Sequence, residues 1–129
     1  MSVLRVRLDA EVMHMEEQEL SANEVRLVGR LSNEPTTIDL PSGDVVLTLR
    51  LVVDRPPPAV RPGARVDALE CAVWARGVQR NAAKWRPGDV VEVRGAIRRR
   101  FFRSGPGGVQ SRVEVEVQRG RVIRRAETA

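Results

Sequence analysis

The sequence contains one cysteine (Cys71), one histidine (His14) and no tyrosine. A single cysteine excludes an intramolecular disulfide, and one cysteine with one histidine makes a zinc site implausible. No run approaches the roughly 18 apolar residues of a membrane helix, and the N-terminus lacks the basic-then-apolar order of a signal peptide. The 129 residues are 42% hydrophobic and 30% charged, as is usual for one folded domain. We therefore expect a soluble, cytoplasmic protein.

The motifs of the common enzyme classes are also absent. There is no Gly-x-Ser-x-Gly elbow, no phosphate-loop lysine and no pair of histidines at metal-binding spacing. Cys71 shares the strand parity of Leu69 and Val73, which predicts a small buried side chain rather than a nucleophile. The glycines of Gly105–Gly108 lie between two alternating segments and predict a turn. We expect no catalysis, no metal and no cofactor.

Positive charge is concentrated in the second half of the chain. Residues 1–64 carry 7 basic and 10 acidic groups (net −3), and residues 65–129 carry 15 and 7 (net +8), which sum to the net charge of +5. All but one of the 22 basic residues are arginine, the exception being Lys84. A basic half of this size suits a polyanionic partner, because each neutralised phosphate releases a counterion. A solvated arginine-rich surface is the alternative.

Alternation of apolar and polar residues dominates and predicts strands. The apolar residues Val78, Ala82 and Trp85 recur at helical spacing (i, i+4, i+7), which predicts a short helix over Gly77–Trp85. Pro87-Gly88 is predicted to stop this helix. Gly120 is a predicted bulge, where the parity of the last strand slips. The five predicted strands are Asn23–Leu31, Asp44–Asp54, Arg65–Ala75, Asp89–Arg103 and Gln110–Ile123.

Five strands with one helix between the third and fourth indicate an all-β fold, the five-stranded Greek-key barrel called the OB-fold. An immunoglobulin-like sandwich would need about seven strands and no such helix. The predicted domain is 23–125, preceded by an extension (1–22) and followed by a short tail (126–129). For the extension three interpretations stay open: an extra strand within Leu4–Val12, a loose arm, or a translation start at Met13 or Met15.

Strand parity separates core candidates from surface candidates. In the fourth strand Val91, Val93, Gly95 and Ile97 are predicted to face inward, as are Val113, Val115 and Val117 in the fifth. Phe101 has core parity and Trp85 continues the apolar side of the helix, so both are predicted to be structural.

Trp74 and Phe102 have the opposite parity and are predicted to project outward beside arginines. An OB barrel that binds single strands combines a cationic groove with rings on which bases stack. Exposed rings among positive charges are costly unless something covers them, which makes these two the best stacking candidates. A subunit interface is the alternative for each. The predicted DNA-binding residues are Trp74, Phe102, Arg94, Arg98, Arg100, Arg103, Arg50 and Arg55.

Residues 23–125 resemble the bacterial single-stranded DNA-binding protein family. The pieces that carry the resemblance are NEVRLVGRL (Asn23–Leu31), Glu34-Pro35, Pro41-Ser42-Gly43, LECAVW (Leu69–Trp74), KWRPGD (Lys84–Asp89) and VVEVRGAI (Val90–Ile97). The resemblance implies an OB barrel, usually a homotetramer, over whose outer surface single-stranded DNA wraps. It places Trp74 and Phe102 at stacking positions. It also places the first strand, with Val25, Arg26, Val28 and Arg30, at a contact between subunits.

Three departures from the family pattern matter. Further stacking aromatics are frequent in the family at two positions, which here are occupied by Ala68 and by Arg55 with the prolines that follow it. The C-terminal residues 120–129 lack the acidic tip through which typical members recruit replication and repair enzymes. We therefore expect a short paralogue whose recruitment of such enzymes is in doubt.

The sequence thus predicts a sequence-tolerant protein that binds and protects single-stranded DNA in replication, recombination or repair, as a homo-oligomer (tetramer or dimer) associated with the nucleoid. Two alternatives stay open. One is an RNA-preferring or primosomal OB module, because stacking and phosphate contacts do not read the 2′-hydroxyl. The other is a protein-interaction scaffold in which Trp74 and Phe102 contact a partner.

Overall fold

A computed structural model describes residues 9–13, 15, 19–103 and 105–127. Six strands and one α-helix follow one another in the described part from residue 19 onward. They are β1 (Val25–Leu31), β2 (Thr36–Asp39), β3 (Val45–Asp54), β4 (Val66–Val73), helix α1 (Arg76–Ala82), β5 (Val90–Arg103) and β6 (Val109–Arg124). A short 3-10 helix, Pro57–Ala59, lies in the proline-rich loop between β3 and β4.

Five of the strands close into a barrel in the order β1-β5-β6-β4-β3-β1. Closure depends on β1, which pairs with β5 over Val25–Arg30 and then with β3 at Arg30 and Leu31. The strands β4 and β6 run parallel, and the other pairs are antiparallel. The predicted OB-fold barrel, with its helix between the third and fourth barrel strands, is confirmed.

Strand β2 was not predicted. It forms a hairpin with the first half of β3, in which Thr36 lies opposite Thr48 and Asp39 opposite Val45. Its four residues are all exposed, so no alternation of buried and exposed positions marks it in the sequence. The hairpin widens the outer face of the barrel beside β3.

The core is built from the inward positions of the barrel strands together with Trp85. Cys71 and Trp85 are each 1% exposed, which confirms their predicted burial. The Trp85 ring packs on Gly120, where an added Cβ would lie 2.4 Å from the ring. The predicted bulge at Gly120 is wrong, because Gly120 pairs with Val93, and the two residues of β6 that the register skips lie on either side of it, at Gln118 and Ile123. The glycine is required by the ring rather than by a bulge.

The β5–β6 hairpin extends beyond the barrel. After Gly95, β5 no longer pairs with β1, and before Val115, β6 pairs only with β5. Among the residues that the structure describes, none forms a core beneath this part of the hairpin, so Ile97 (49% exposed), Val113 (52%) and Phe101 (69%) are accessible. Their predicted inward orientation is wrong, because parity indicates a buried side only where a second layer covers it.

Two polar side chains, Asn23 and Asp89, connect the ends of the domain to the barrel by hydrogen bonds. Asn23 donates from Nδ2 to the Ile97 carbonyl (2.7 Å) and accepts from the Ile97 amide (2.8 Å). The buried carboxylate of Asp89 accepts hydrogen bonds from the backbone amides of Arg86 and Ala126 and from the Arg125 side chain.

The N-terminal segment is described only in part. Residues 9–13, 15 and 19 are helical. Residues 1–8, His14 and residues 16–18 of the predicted extension lie outside the described residues. Within the described chain, no helix is long and apolar enough to cross a membrane.

Candidate nucleic-acid interface

A groove of about 390 Å³ crosses the outer face of the barrel, between the β2–β3 hairpin and the projecting β5–β6 hairpin. We call it the aromatic groove. Its lining residues are Ile38, Leu40, Val46, Thr48, Ala72, Trp74, Arg100, Phe101, Phe102, Arg112 and Glu114. Three of the four aromatic residues of the chain therefore line one groove.

Strand pairing explains how the floor of the aromatic groove forms. Thr48 lies opposite Ala72, Ala72 opposite Glu116, and Glu116 opposite Ala96, so one outward row crosses four strands. The alternate positions Leu47, Leu49 and Val73 point into the core. Trp74 follows Val73 directly and lies on the outer side, as its parity predicts.

Trp74 is covered by an arginine of its own chain. The guanidinium of Arg100 lies over the indole ring, 4.5 Å from its centroid, within the range of a cation–π contact. The side chain of Arg100 also forms an ion pair with Glu114 on the neighbouring strand. Trp74 is half-buried, and its Nε1 has no hydrogen-bond partner in the described part of the chain. In this conformation one face of the ring is occupied.

The two phenylalanines contribute a second aromatic surface. Phe102 is 39% exposed, and the Arg112 guanidinium lies 5.4 Å from its ring centroid. Phe101, predicted to be structural, is 69% exposed and also lines the aromatic groove. Neither Phe101 nor Arg112 is among the predicted DNA-binding residues. The signal that could have found Arg112 is its register, opposite Arg100.

The remaining predicted DNA-binding arginines are distributed around the aromatic groove. Arg98 pairs with Glu116 (2.6 Å) on the same outer face, and Arg103 ends β5 with an exposed side chain. Arg50 donates to Glu70 (2.7 Å). Arg55 donates to Asp67 from Nε (3.1 Å) and Nη2 (2.8 Å), which anchors the proline-rich loop. Thus Arg50 and Arg55 already have carboxylate partners outside the groove.

Arg94 lies apart from the aromatic groove, about 20 Å of strand before Arg100. It belongs to a cluster around Glu92, whose side chain is 8% exposed. Arg26 contacts the Glu92 carboxylate from Nε and Nη2 (2.8 Å each), and Arg121 from Nε (3.2 Å). These hydrogen bonds, from Arg121 first and Arg26 next, lower the pKa of Glu92 although burial opposes them. The carboxylate is therefore ionised at neutral pH.

The predicted subunit-contact residues all lie on β1. Val25 and Val28 are half-buried, and Arg26 and Arg30 are exposed. Arg30 reaches Asp54 at 3.3 Å. Positions 25–29 pair with β5 on one side, and in the described part of the chain no strand pairs with them on the other.

Nucleophilic and metal chemistry find no support in the described residues. Burial, with smaller contributions from Glu70 and Glu114, raises the pKa of Cys71 to about 12, so the thiol is protonated and unreactive. No group of three or more His, Cys, Asp or Glu side chains in the described ranges is arranged to hold a metal ion.

Comparison with known proteins agrees with the geometry. The sequence model of the "Single-strand binding protein family" matches residues 22–123. The "Single-stranded DNA-binding protein" of Oceanobacillus iheyensis is 32% identical over 85 residues, which are 66% of this chain and 53% of that protein. "Single-stranded DNA-binding protein 3" of Listeria innocua is 31% identical over the same shares. The chain thus aligns with about half the length of these curated relatives.

A solved structure shares the fold. The "Plasmodium falciparum SSB complex with ssDNA" superposes with a TM-score of 0.63 at 24% identity, over 81% of this chain and 95% of that one. Because the family match spans the whole barrel from before β1 into β6, the chain belongs to the single-strand binding protein family.

Proposed function

We propose that this protein binds single-stranded DNA without regard to sequence, by stacking bases in the aromatic groove and contacting phosphates with the arginines around it. The observation that carries the proposal is the meeting of Trp74, Phe101 and Phe102 in one groove with Arg100 and Arg112. Family membership supports it. The proposed activity is binding and protection, with no catalysis.

The groove favours unpaired over paired DNA for a geometric reason. A ring can stack only on a base whose face is free, and duplex bases are stacked on each other. Every base has a π-face, so binding of this kind is tolerant of sequence, and each stacked base contributes about 1–3 kcal/mol. Trp74 and Phe102 as the predicted platforms, with the exposed Phe101 added, would contribute several kcal/mol before the strand is ordered.

The proposed phosphate contacts are Arg98, Arg100, Arg103 and Arg112 around the groove, with Arg94 farther along β5. Arg98 and Arg100 would exchange a carboxylate for a phosphate, whereas Arg103 has no ion pair in the described chain and is free to bind. Arg50 and Arg55 contribute less, because their carboxylate partners lie outside the groove. About five contacts predict a log–log salt slope near −3.5, from about −0.7 per contact.

We further propose that two copies associate through β1. The side of β1 left open at positions 25–29 offers main-chain groups for a second β1, and Val25 and Val28 lie on that segment. Association tethers two grooves to one strand, which raises the affinity beyond that of one barrel. In this proposal a tetramer, as expected from the family, requires additional contacts between dimers. We place this activity in replication, recombination or repair in the cytoplasm, at the nucleoid.

Tryptophan fluorescence tests the proposal, because the chain has two tryptophans in different environments. Titration with oligo-dT should quench Trp74 and leave the buried Trp85 unchanged, so Trp74→Phe should abolish most of the quenching while it retains a ring. Trp74→Ala should weaken binding about 5- to 150-fold, equivalent to about 1–3 kcal/mol. Trp85 fluorescence reports whether each variant is folded.

Competitors distinguish the alternatives. Oligo-rU that competes as well as oligo-dT would indicate an RNA-tolerant module, and duplex bound as tightly as the single strand would refute stacking. An affinity that does not change with salt would refute the phosphate contacts. No quenching by any nucleic acid at low salt would favour a protein-interaction scaffold.

A further inference from the structure

The part of the β5–β6 hairpin that projects beyond the barrel has a second side, opposite the row of Arg98, Arg100 and Phe102. We call it the hairpin back face. Directly paired residues share one face of a sheet. The pairs on this side are Ile97–Val115, Arg99–Val113, Phe101–Ser111 and Arg103–Val109. The hairpin back face therefore continues the side of β5 that faces the core inside the barrel.

The hairpin back face is apolar and positively charged. Ile97, Phe101, Val109 and Val113 are between 49% and 71% exposed, and a contiguous exposed apolar surface is typical of a contact site. Two arginines lie among these residues. Arg99 donates from Nη1 to the Ser111 hydroxyl (3.1 Å), and neither Arg99 nor Arg103 has a carboxylate partner in the described part of the chain. An occupant that carries both apolar side chains and carboxylates would complement this surface.

Residues 9–20, which we call the acidic segment, have this composition. Among the twelve residues there is no lysine or arginine, and there are five carboxylates: Asp9, Glu11, Glu16, Glu17 and Glu19. Four apolar side chains of the segment are 46–87% exposed, those of Val12, Met13, Met15 and Leu20. Eight of the thirteen exposed large hydrophobic residues in the described chain thus belong to the acidic segment or to the hairpin back face.

The acidic segment joins the barrel at the base of the hairpin back face. Asn23 holds both the amide and the carbonyl of Ile97 by hydrogen bonds. Because β1 is antiparallel to β5, with Val25 opposite Gly95, the continuation of β1 backward from Asn23 points toward the tip of the hairpin. Only two residues separate Asn23 from the end of the acidic segment at Leu20. The segment is therefore attached next to the surface that it complements.

The lengths of the two surfaces also agree. From Ile97 to Arg103 the hairpin back face extends over about 20 Å of strand. Twelve residues span about 18 Å as a helix and about 40 Å when extended. The acidic segment is thus long enough, in either form, to lie along the whole hairpin back face.

A second copy of the hairpin is a poorer occupant than the acidic segment. Two hairpin back faces packed together would bring Arg99 and Arg103 of both chains into one contact, and like charges in an interface are costly. The acidic segment brings carboxylates to the same arginines. Its attachment through two residues also makes the contact intramolecular, which gives it a high effective concentration.

From these observations we propose that the acidic segment docks on the hairpin back face of its own chain. Its apolar side chains cover Ile97, Phe101 and Val113, and its carboxylates pair with Arg99 and Arg103. The projecting hairpin thereby gains the second layer that it lacks beyond the barrel. The N-terminal extension is then a part of the folded domain. This inference goes beyond the proposed function and does not depend on it.

Cross-linking between two introduced cysteines tests the docking on the full chain. The native Cys71 is buried and protonated, so a bismaleimide should react only with cysteines placed at exposed positions. In Met13→Cys/Val113→Cys, a short bismaleimide should join the two positions within one chain. Val66 lies at the start of β4, away from the hairpin back face, and is also exposed. Met13→Cys/Val66→Cys should therefore give little cross-link.

The contribution of charge is measured in the same cross-linking variant. Adding Asp9→Asn, Glu11→Gln and Glu19→Gln should slow the cross-linking at low salt by about threefold or more. The effect should disappear at about 0.5 M salt, where exposed charges are screened. The matched control adds Glu34→Gln, Asp39→Asn and Asp44→Asn, which remove the same charge from exposed positions at and beside β2. It should leave the rate unchanged. Trp85 fluorescence reports whether each variant is folded.

Each outcome decides the inference. A cross-link within one chain that the acidic-segment substitutions slow and the control substitutions do not would support it. Equal rates in the two charge variants, equal cross-linking to positions 66 and 113, or no cross-link at all would overturn it. A cross-link between two chains would overturn it in favour of docking on a second copy. None of these measurements uses DNA, so each result leaves the proposed function untouched.

Discussion

The indole ring of Trp74 is covered by Arg100, so a base that stacks on that face must displace a guanidinium. A cation–π contact contributes about 0.5–1 kcal/mol at an exposed site, and Arg100 also has an ion pair with Glu114. Both contacts must be rearranged when DNA binds. In return, the displaced guanidinium becomes available to a phosphate. Arg100 therefore opposes stacking and favours electrostatic binding.

Arg100→Met separates these two effects, because it keeps the length of the side chain and removes its charge. We expect the variant to bind oligo-dT more weakly than wild type at low salt, where one phosphate contact is lost. At high salt, where that contact is screened, the difference should disappear, and the slope should shrink by about 0.7. Fluorescence titrations at several salt concentrations measure both quantities. A parallel loss of affinity at every salt concentration would contradict this explanation.

Asp89 has a role in stability rather than binding. Burial raises its pKa, but the backbone amides of Ala126 and Arg86, with Arg125, lower it below the ordinary value of 3.8. Because the folded-state pKa is depressed, this carboxylate stabilises the fold above the unfolded-state value, and the contribution is lost as the pH falls through the folded-state pKa. The affected window lies below about pH 4.

Asp89→Asn should accordingly lower the free energy of unfolding by about 1 kcal/mol at pH 7, because hydrogen bonds to a charged acceptor are weakened. The difference between variant and wild type should shrink as the pH falls below 3.8, the ordinary pKa of this carboxyl, through its lower folded-state pKa. Urea unfolding at several pH values provides the measurement. Equal stabilities of variant and wild type at pH 7 would show that the segment at Ala126 is held by contacts other than those with Asp89.

At the scale of elements, strand β6 shows where alternation of apolar and polar residues predicts burial correctly and where it does not. The alternation of Val115 and Val117 predicts their burial correctly, because the barrel core lies beneath them. The same alternation fails at Val113, and at Phe101 on β5, because parity does not reveal where a hairpin leaves its barrel. That point depends on the lengths of the neighbouring strands β1 and β4.

The aromatic groove was predictable in the same partial way. Parity placed Trp74 and Phe102 on the outer side, and the chain order of strands and helix indicated the barrel. The cover of Trp74 by Arg100 and the pairing of Glu92 with Arg26 were not predictable, because they depend on side chains from different strands meeting in a particular register. The β2 strand was missed because its exposed residues show no alternation.

The packing of Gly120 on β6 against the Trp85 ring leads to a testable prediction at the scale of elements. An added Cβ would lie 2.4 Å from the buried Trp85 ring, so the ring or the strand would have to move. We expect Gly120→Ala to cost about 1–3 kcal/mol of stability, as overpacking of a core usually does. Gly77→Ala is the matched control: its nearest contact is 3.8 Å away, and in helix α1 alanine should be neutral or stabilising by up to about 1 kcal/mol. Thermal or urea unfolding compares the two, and equal effects would contradict the role assigned to Gly120.

At the scale of the whole molecule, the charge on the outer face of β1, β5 and β6 couples oligomerisation to salt. Strand pairing places six arginines on this surface, which we call the arginine face: Arg26, Arg30, Arg94, Arg119, Arg121 and Arg124. If two chains pair along β1, their arginine faces lie side by side in one sheet, and their net positive charges repel each other. Salt screens repulsion between exposed charges over a Debye length of about 10 Å at 0.1 M. Self-association should therefore strengthen as salt is added, while DNA binding weakens under the same conditions.

Sedimentation of the DNA-free protein at about 0.05 M and about 0.5 M salt, which brackets that Debye length, tests this opposition. We expect a larger dimer fraction at the higher concentration, and Arg119→Gln/Arg124→Gln should reduce the salt effect because it removes two repelling charges per chain. Dimerisation that weakens with salt would instead mean that ion pairs hold the subunits together, and these arginines would then attract the partner subunit rather than repel it.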